Sequence, residues 1–287
     1  MKRLFRIIVK GLGIGLCLLF FSCATPAVPN LNDANIAVWL SGAAYCGKEN
    51  YKTMQLSGPA INFQVTDVLY DSETDLQGYV GLLKKTNTIY VVFRGSSSKL
   101  NWQADFEIIR REYYTYPECD CSVHTGFYKA TINLKDKTIE SVQKLIFKTG
   151  FKNVIITGHS LGAAVAQLIG MELHAIDVYN EVYNFGQPRV GNDKYANFVN
   201  TIMKDQFLFR FTHNKDMVPH IPPRAIGYLH SCREIFEDGS GNLKDCSIMD
   251  CEDPKCSDQY RLSQTNTDDH SYYLDHFLDC GNSTYSL

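Results

Sequence analysis

The chain of 287 residues has no excess of positive charge. Its 28 Lys and Arg are outnumbered by 31 Asp and Glu, giving a formal net charge of −3. Such a balance predicts no electrostatic attraction to nucleic acid. No internal repeat or low-complexity tract is present, which excludes solenoids and arrays. No composition break is strong enough to mark a second domain. There is no C-x-x-C pair, and no histidine sits beside "CSIMDCEDPKC", so zinc ligation there is the weaker reading. The one long apolar stretch, "GLGIGLCLLFF", is short for a membrane-spanning helix.

That stretch follows the basic start "MKRLFRIIVK" and precedes the small residues "SCATPA". The pattern predicts a secretory signal peptide over residues 1–27, with 28–287 as one domain. A retained signal anchor and a lipoprotein signal acylated at Cys23 are the alternatives. Eight of the ten cysteines remain once Cys17 and Cys23 are removed. An even count after a secretion signal favours disulfides, whose pairing the spacing does not fix. "NST" at Asn282 is a glycosylation acceptor if the secretory pathway is eukaryotic.

"INFQVTDVLY" and "QGYVGLL" read as early strands. "TIYVVFRG", "NVIIT", "EVYNFG" and "QFLFRFTH" follow, the first of these apolar enough to be buried on both faces. Apolar residues recur at helical spacing between Gly126 and Thr149, and "LGAAVAQLIGMEL" and "GNDKYANFVNTIMK" also read as helices. Strands alternating with helices predict an α/β fold, a mostly parallel sheet with helices on both faces. From Gly227 onward the chain reads as loop-rich and cysteine-rich.

"NVIITGHSLGAAVAQLIG" places Ser160 between two glycines, after a β-branched run and before an alanine-rich one. G-x-S-x-G alone is weak. A strand entering and a helix leaving give it the context of a nucleophile elbow, where flanking β-carbons would clash. The bland alternative is a glycine-rich turn without chemistry. Leu161 opens the helix, so its amide faces the reacting carbonyl from a positive helix end. A serine hydroxyl needs a base, and the base an orienting acid, in the chain order Ser, Asp or Glu, His. Asp216 is the best acid, because it follows a strand and its loop. Asp177, Asp193 and Asp205 lie on or beside helices. His220 is too close to Asp216 along the chain and His230 lies near a strand, which leaves His270 and His276 open.

Several ordered motifs resemble one family, the class 3 or fungal-type lipases of the α/β-hydrolase fold and their feruloyl-esterase relatives. They are "VVFRGSSSKLNWQADF", "VHTGF", "ITGHSLGAA", "YNFGQPRVGN" and "FTHNKDMVPHIPP", and the similarity runs from about "IAVWLSGAAYC" to the C-terminus. The resemblance implies Ser160 as nucleophile, Asp216 as acid, and the Ser96 and Leu161 amides as oxyanion hole. It selects His270 as base, because "HSYYL" carries the family's aromatic pair after the histidine and "HFLDC" does not. It also implies a Cys46–Cys280 bridge. "CDC" departs from relatives with two residues between the cysteines, which argues against a Cys119–Cys121 bridge.

The segment near 97–109 is then the expected lid, with Leu100, Trp102 and Phe106 on it. Trp102, Phe106 and Ile109 share one helical stripe, which either turns toward lipid or packs on the body. The expected activity is that of a secreted carboxylic ester hydrolase acting on acylglycerols at an interface. A feruloyl-type esterase or phospholipase is the alternative, and a silent lipase-like binding protein the third reading. Neither metal nor organic cofactor is implied. No obligate protein partner is inferred, and contact with a lipid surface would be transient.

Overall fold

The computed structural model describes residues 28–96, 108–203, 208–246 and 250–286. The expected signal peptide and the lid residues Leu100, Trp102 and Phe106 lie outside them, as does Asp205. Among the described residues, no helix is long and apolar enough to cross a membrane.

One eight-stranded sheet carries the molecule. Its strands are β1 (Gln64–Asp71), β2 (Leu76–Leu83), β3 (Thr88–Phe93), β4 (Asn153–His159), β5 (Glu181–Phe185), β6 (Leu208–His213), β7 (Glu234–Glu237) and β8 (Leu243–Asp245). They lie in sequence order, β8 to β1, across the sheet. The pairs from β3 to β7 are parallel, while β1–β2, β2–β3 and β7–β8 are antiparallel. This is the mostly parallel sheet of the α/β-hydrolase fold. Four principal helices flank it: α1 (Leu31–Ala43), α2 (Thr125–Thr149), α3 (Leu161–His174) and α4 (Asp193–Ile202).

The period-two geometry of a strand sorts its side chains to two sides. Val91, Phe93, Val154 and Ile156 join α2, α3 and α4 in one buried cluster. Tyr90, Val92, Ile155 and Phe211 point the other way, into a second cluster with α1 and the C-terminal residues Tyr273 and Leu278. Helices on both faces explain why β3 is buried at every position. The segment after Gly227 is largely loop, as expected, but within it β7 extends the parallel sheet in register with β6.

All eight cysteines of the domain pair, as Cys46–Cys280, Cys119–Cys121, Cys232–Cys251 and Cys246–Cys256. The Cys119–Cys121 bridge corrects the expectation drawn from the short spacing. A turn at Pro117–Cys119 and the left-handed backbone at Asp120 fold the two cysteines back toward each other. The three cysteines of "CSIMDCEDPKC" are spent in Cys246–Cys256 and Cys232–Cys251. Cys46–Cys280 closes a span of 234 residues, the longest of the four, and chain-entropy models assign longer loops larger effects. Replacing both cysteines with alanine is expected to cost about 2–5 kcal/mol, read as a lowered denaturation midpoint with a steeper slope, because the unbridged denatured chain is more open.

Candidate active site

β4 delivers Ser160 to the carboxyl edge of the sheet, and α3 begins at the next residue. The serine sits at φ 60°, ψ −129°, a strained conformation for a residue with a side chain. Two close approaches force its neighbours to be glycine. A β-carbon at Gly158 would lie 2.4 Å from the Gly162 backbone, and one at Gly162 would lie 2.3 Å from the Phe93 carbonyl. The Ser160 amide donates to the Phe185 carbonyl at 3.0 Å, tying the turn to the end of β5. Leu161 is the first residue of a 14-residue helix, so its amide belongs to the unpaired donors of that end. Ser96 follows the end of β3 next door, half-buried.

Asp216 and His270 come together from 54 residues apart. The Asp216 Oδ2 atom lies 2.8 Å from His270 Nδ1, and both side chains are buried. A carboxylate only accepts, so Nδ1 carries a proton and donates it, which leaves Nε2 as the basic nitrogen of a neutral ring. Asp216 Oδ1 accepts from the Val218 amide at 2.8 Å, and Oδ2 accepts a second, short bond from the Tyr273 hydroxyl. The turn bearing His270 is fastened to the loop after β6. The Met217 amide donates to Asn266 O and the Asn266 amide to Lys215 O. The Asp269 carboxylate accepts from Asn214, Asn266 and the Lys215 amide.

Gly186 is where elbow and pair meet. It follows Phe185 at φ 58°, and a β-carbon there would sit 2.9 Å from the His270 ring and 3.0 Å from Asp216 Oδ2. Any larger residue would displace the imidazole.

Ser160, Asp216 and His270 thus converge on one edge of the sheet, on the scaffold the motifs implied. A family model, Lipase (class 3), matches residues 90–226. The lipase of Rhizomucor miehei is 35% identical over 194 residues, covering 65% of this chain and 52% of the relative. The secreted mono- and diacylglycerol lipase A of Penicillium cyclopium is 28% identical over 213 residues, 73% of this chain and 67% of that one. A solved structure described as a triacylglycerol lipase whose catalytic centre is a serine protease triad superposes with a TM-score of 0.79. It is 28% identical, with 87% of this chain and 96% of that one covered. The chain belongs to the class 3 lipases.

It is a lipase-type serine hydrolase by that membership, and it spans about half the length of the Rhizomucor and Rhizopus lipases it matches. The rest of this class 3 lipase's site is supporting structure that its sequence did not reveal. Arg189 is buried and makes a two-pronged pair with Glu252, both contacts 2.8 Å. Its remaining nitrogen donates to the His220 and Pro222 carbonyls, which anchors the turn after Asp216. Burial pushes the Glu252 carboxyl up, but the Arg189 guanidinium and the nearby His230 outweigh it and hold the group at about 2. His220 and His230 are both buried, and burial lowers both imidazoles.

His276, the competing base, is placed elsewhere. Its ring stacks on Trp39 at 4.4 Å, and Nε2 lies 2.8 Å from the Ser283 hydroxyl. Burial lowers it to about 4. The unfolded chain takes up this proton below about 6.5, whereas the folded chain does so only near 4. Stability therefore falls as pH drops through that window, by about 3 kcal/mol in all. His276→Ala is expected to flatten this dependence, measured by urea denaturation at pH 7.5 and 4.5. The same variant should keep most of the hydrolytic activity.

Proposed function

We propose that this protein is a secreted enzyme that hydrolyses acylglycerol esters at a lipid surface, with Ser160 as nucleophile, His270 as base and Asp216 as its orienting acid. The observation that carries the reading is the 2.8 Å Asp216–His270 pair packed against Gly186, one residue from the carbonyl that holds the Ser160 amide. The Ser160 Oγ attacks the ester carbonyl carbon while His270 Nε2 takes its proton. The oxyanion rests on the Leu161 and Ser96 amides, where losing one donor typically costs about 10²–10³ in rate. His270 returns the proton to the departing alcohol. Water then attacks the acyl-enzyme, giving its proton to His270, and Ser160 recovers that proton as the fatty acid leaves.

The described residues show no hydrogen bond on the Ser160 hydroxyl, and the only bond on the His270 ring is the Nδ1 bond to Asp216. Catalytic contacts in unliganded sites are often longer than in the reacting complex, so the serine–imidazole bond closes when substrate displaces solvent.

Support for a lipid surface comes from Ile108 and Ile109, at the C-terminal end of the expected lid. They are 51% and 60% exposed, beside Ile226 at 38%. Secretion is supported by the leader pattern and by the secreted Penicillium relative. The test compares hydrolysis of a short-chain triglyceride below and above its solubility limit, with a soluble feruloyl ester alongside. A steep rise on crossing the limit is expected. A flat response with faster feruloyl turnover would replace this reading by an esterase for aromatic esters.

A further inference from the structure

Two side chains beside the site have no part in the chemistry above, yet between them they contact the Gly95 backbone, the elbow and the turn bearing His270. Tyr45 lies in the turn after α1, directly before the bridged Cys46. Its hydroxyl packs against the Gly95 backbone, where a β-carbon would lie 2.3 Å away, and lies 2.6 Å from His159 Nδ1. The other nitrogen of that ring, Nε2, lies 2.7 Å from the carbonyl oxygen of His270. A carbonyl only accepts, so Nε2 carries the proton. The neutral ring then presents a bare Nδ1, to which Tyr45 donates. Burial holds the Tyr45 hydroxyl above its ordinary range, so it remains a donor.

The bonds run in one direction. Tyr45, packed on Gly95, donates its O–H to His159, and His159 N–H donates to the backbone of His270. These contacts join three segments that reach the site separately: the end of β3, the elbow and the base turn. Packing leaves little slack between them. A β-carbon on Gly95 would lie 2.3 Å from the Tyr45 oxygen and 3.0 Å from Ser160 Cβ. The His159 and His270 rings have centroids 4.3 Å apart.

We infer that Tyr45 and His159 are positioning residues, a cross-brace that sets the spacing of the Gly95–Ser96 oxyanion segment and the His270 turn about Ser160. The inference rests on the proposed ester hydrolysis by these groups. Oxyanion donors and a base act only when held within about half an ångström of their working geometry. A brace between them therefore matters to the transition state more than to substrate binding, and its loss appears in kcat rather than KM.

The test uses the full chain with five variants. Tyr45→Phe keeps the ring and removes the hydroxyl. It is expected to lower kcat about tenfold with KM within about twofold, and to weaken inhibition by phenylboronic acid, a mimic of the tetrahedral intermediate, by a similar factor. His159→Phe should do the same, whereas His159→Gln, with an amide donor and acceptor, should recover part of the loss. Combining Tyr45→Phe with His159→Phe should cost no more than the worse single change, because one linked chain is broken only once. A Tyr45→Phe enzyme with unchanged kcat and boronate affinity, losses that multiply in the double variant, or a raised KM alone would overturn the brace. Ser160→Ala, assayed in parallel, separates the two ideas. If it is silent while Tyr45→Phe matches the unmodified protein, only the brace is lost. If it keeps turning over, the underlying reading is lost.

Discussion

Replacing Ser160 with alanine is expected to lower kcat by about 10⁴–10⁶, the range seen when a serine nucleophile is removed from a triad that works as a unit. The residual rate would come from the oxyanion donors and from binding alone. Folding is not expected to suffer. The Ser160 side chain makes no capping hydrogen bond at the start of α3, and alanine meets the same backbone at φ 60° as serine does. The thermal midpoint should therefore stay within about 2 °C of the unmodified protein. Steady-state rates on a soluble chromogenic ester, measured with a melting curve on the same sample, check both halves. A variant that keeps a tenth of its activity would show that the nucleophile lies elsewhere.

Asp216→Asn should cost about 10³–10⁴ in kcat. The carboxylate accepts from three donors: the His270 ring, the Tyr273 hydroxyl and the Val218 amide. An asparagine of the same shape offers one acceptor oxygen and places an N–H against one of those donors. If the amide N–H faces His270, the ring must present a bare Nδ1. Its proton then moves to Nε2, the nitrogen that has to receive the serine proton. Rate is lost through the tautomer rather than through displacement. Leaving a buried donor unpaired adds about 1–3 kcal/mol of destabilisation, so the melting point should fall here, unlike in Ser160→Ala. A nearly wild-type kcat would exclude Asp216 as the orienting acid.

The parts of the fold that sequence reasoning reached were those whose burial leaves a periodic mark. "TIYVVF" and "NVIIT" are apolar on both sides because helices cover both sides; of the elbow glycines, Gly158 is fixed by the backbone four residues on, and Gly162 by Phe93 at the end of the neighbouring strand. β7 left no such mark. Its sequence, Glu-Ile-Phe-Glu, looks like a surface segment, yet Glu234 and Glu237 are 3% and 2% exposed. Their carboxylates accept from Thr212, the Ser257 amide and the Leu274 amide, partners 22 to 37 residues away. A carboxylate satisfied by distant donors reads as solvated when only its neighbours are seen.

Cysteine pairing beyond the Cys46–Cys280 bridge that the resemblance implied was not legible for the same reason, since it depends on which loops meet. The tight Cys119–Cys121 bridge depends on a left-handed residue, Asp120, that spacing alone did not suggest. Within the site, the aromatic pair pointed to His270 over His276 without giving its own role. The second of these residues, Tyr273, hydrogen-bonds Asp216. Gly186 could have been suspected as a glycine at a strand end. The room it leaves for the imidazole follows only from the packing of β5 against the base turn.

The most direct measurement is covalent labelling with a fluorophosphonate, followed by mass mapping of the modified peptide in the unmodified protein, His270→Ala and His276→Ala. One phosphonyl group per chain on Ser160 is expected in the unmodified protein and in His276→Ala, with labelling slowed by at least about 10³-fold in His270→Ala. Label on another residue, or full-speed labelling of Ser160 without the His270 ring, would contradict the assignment of an imidazole-activated serine.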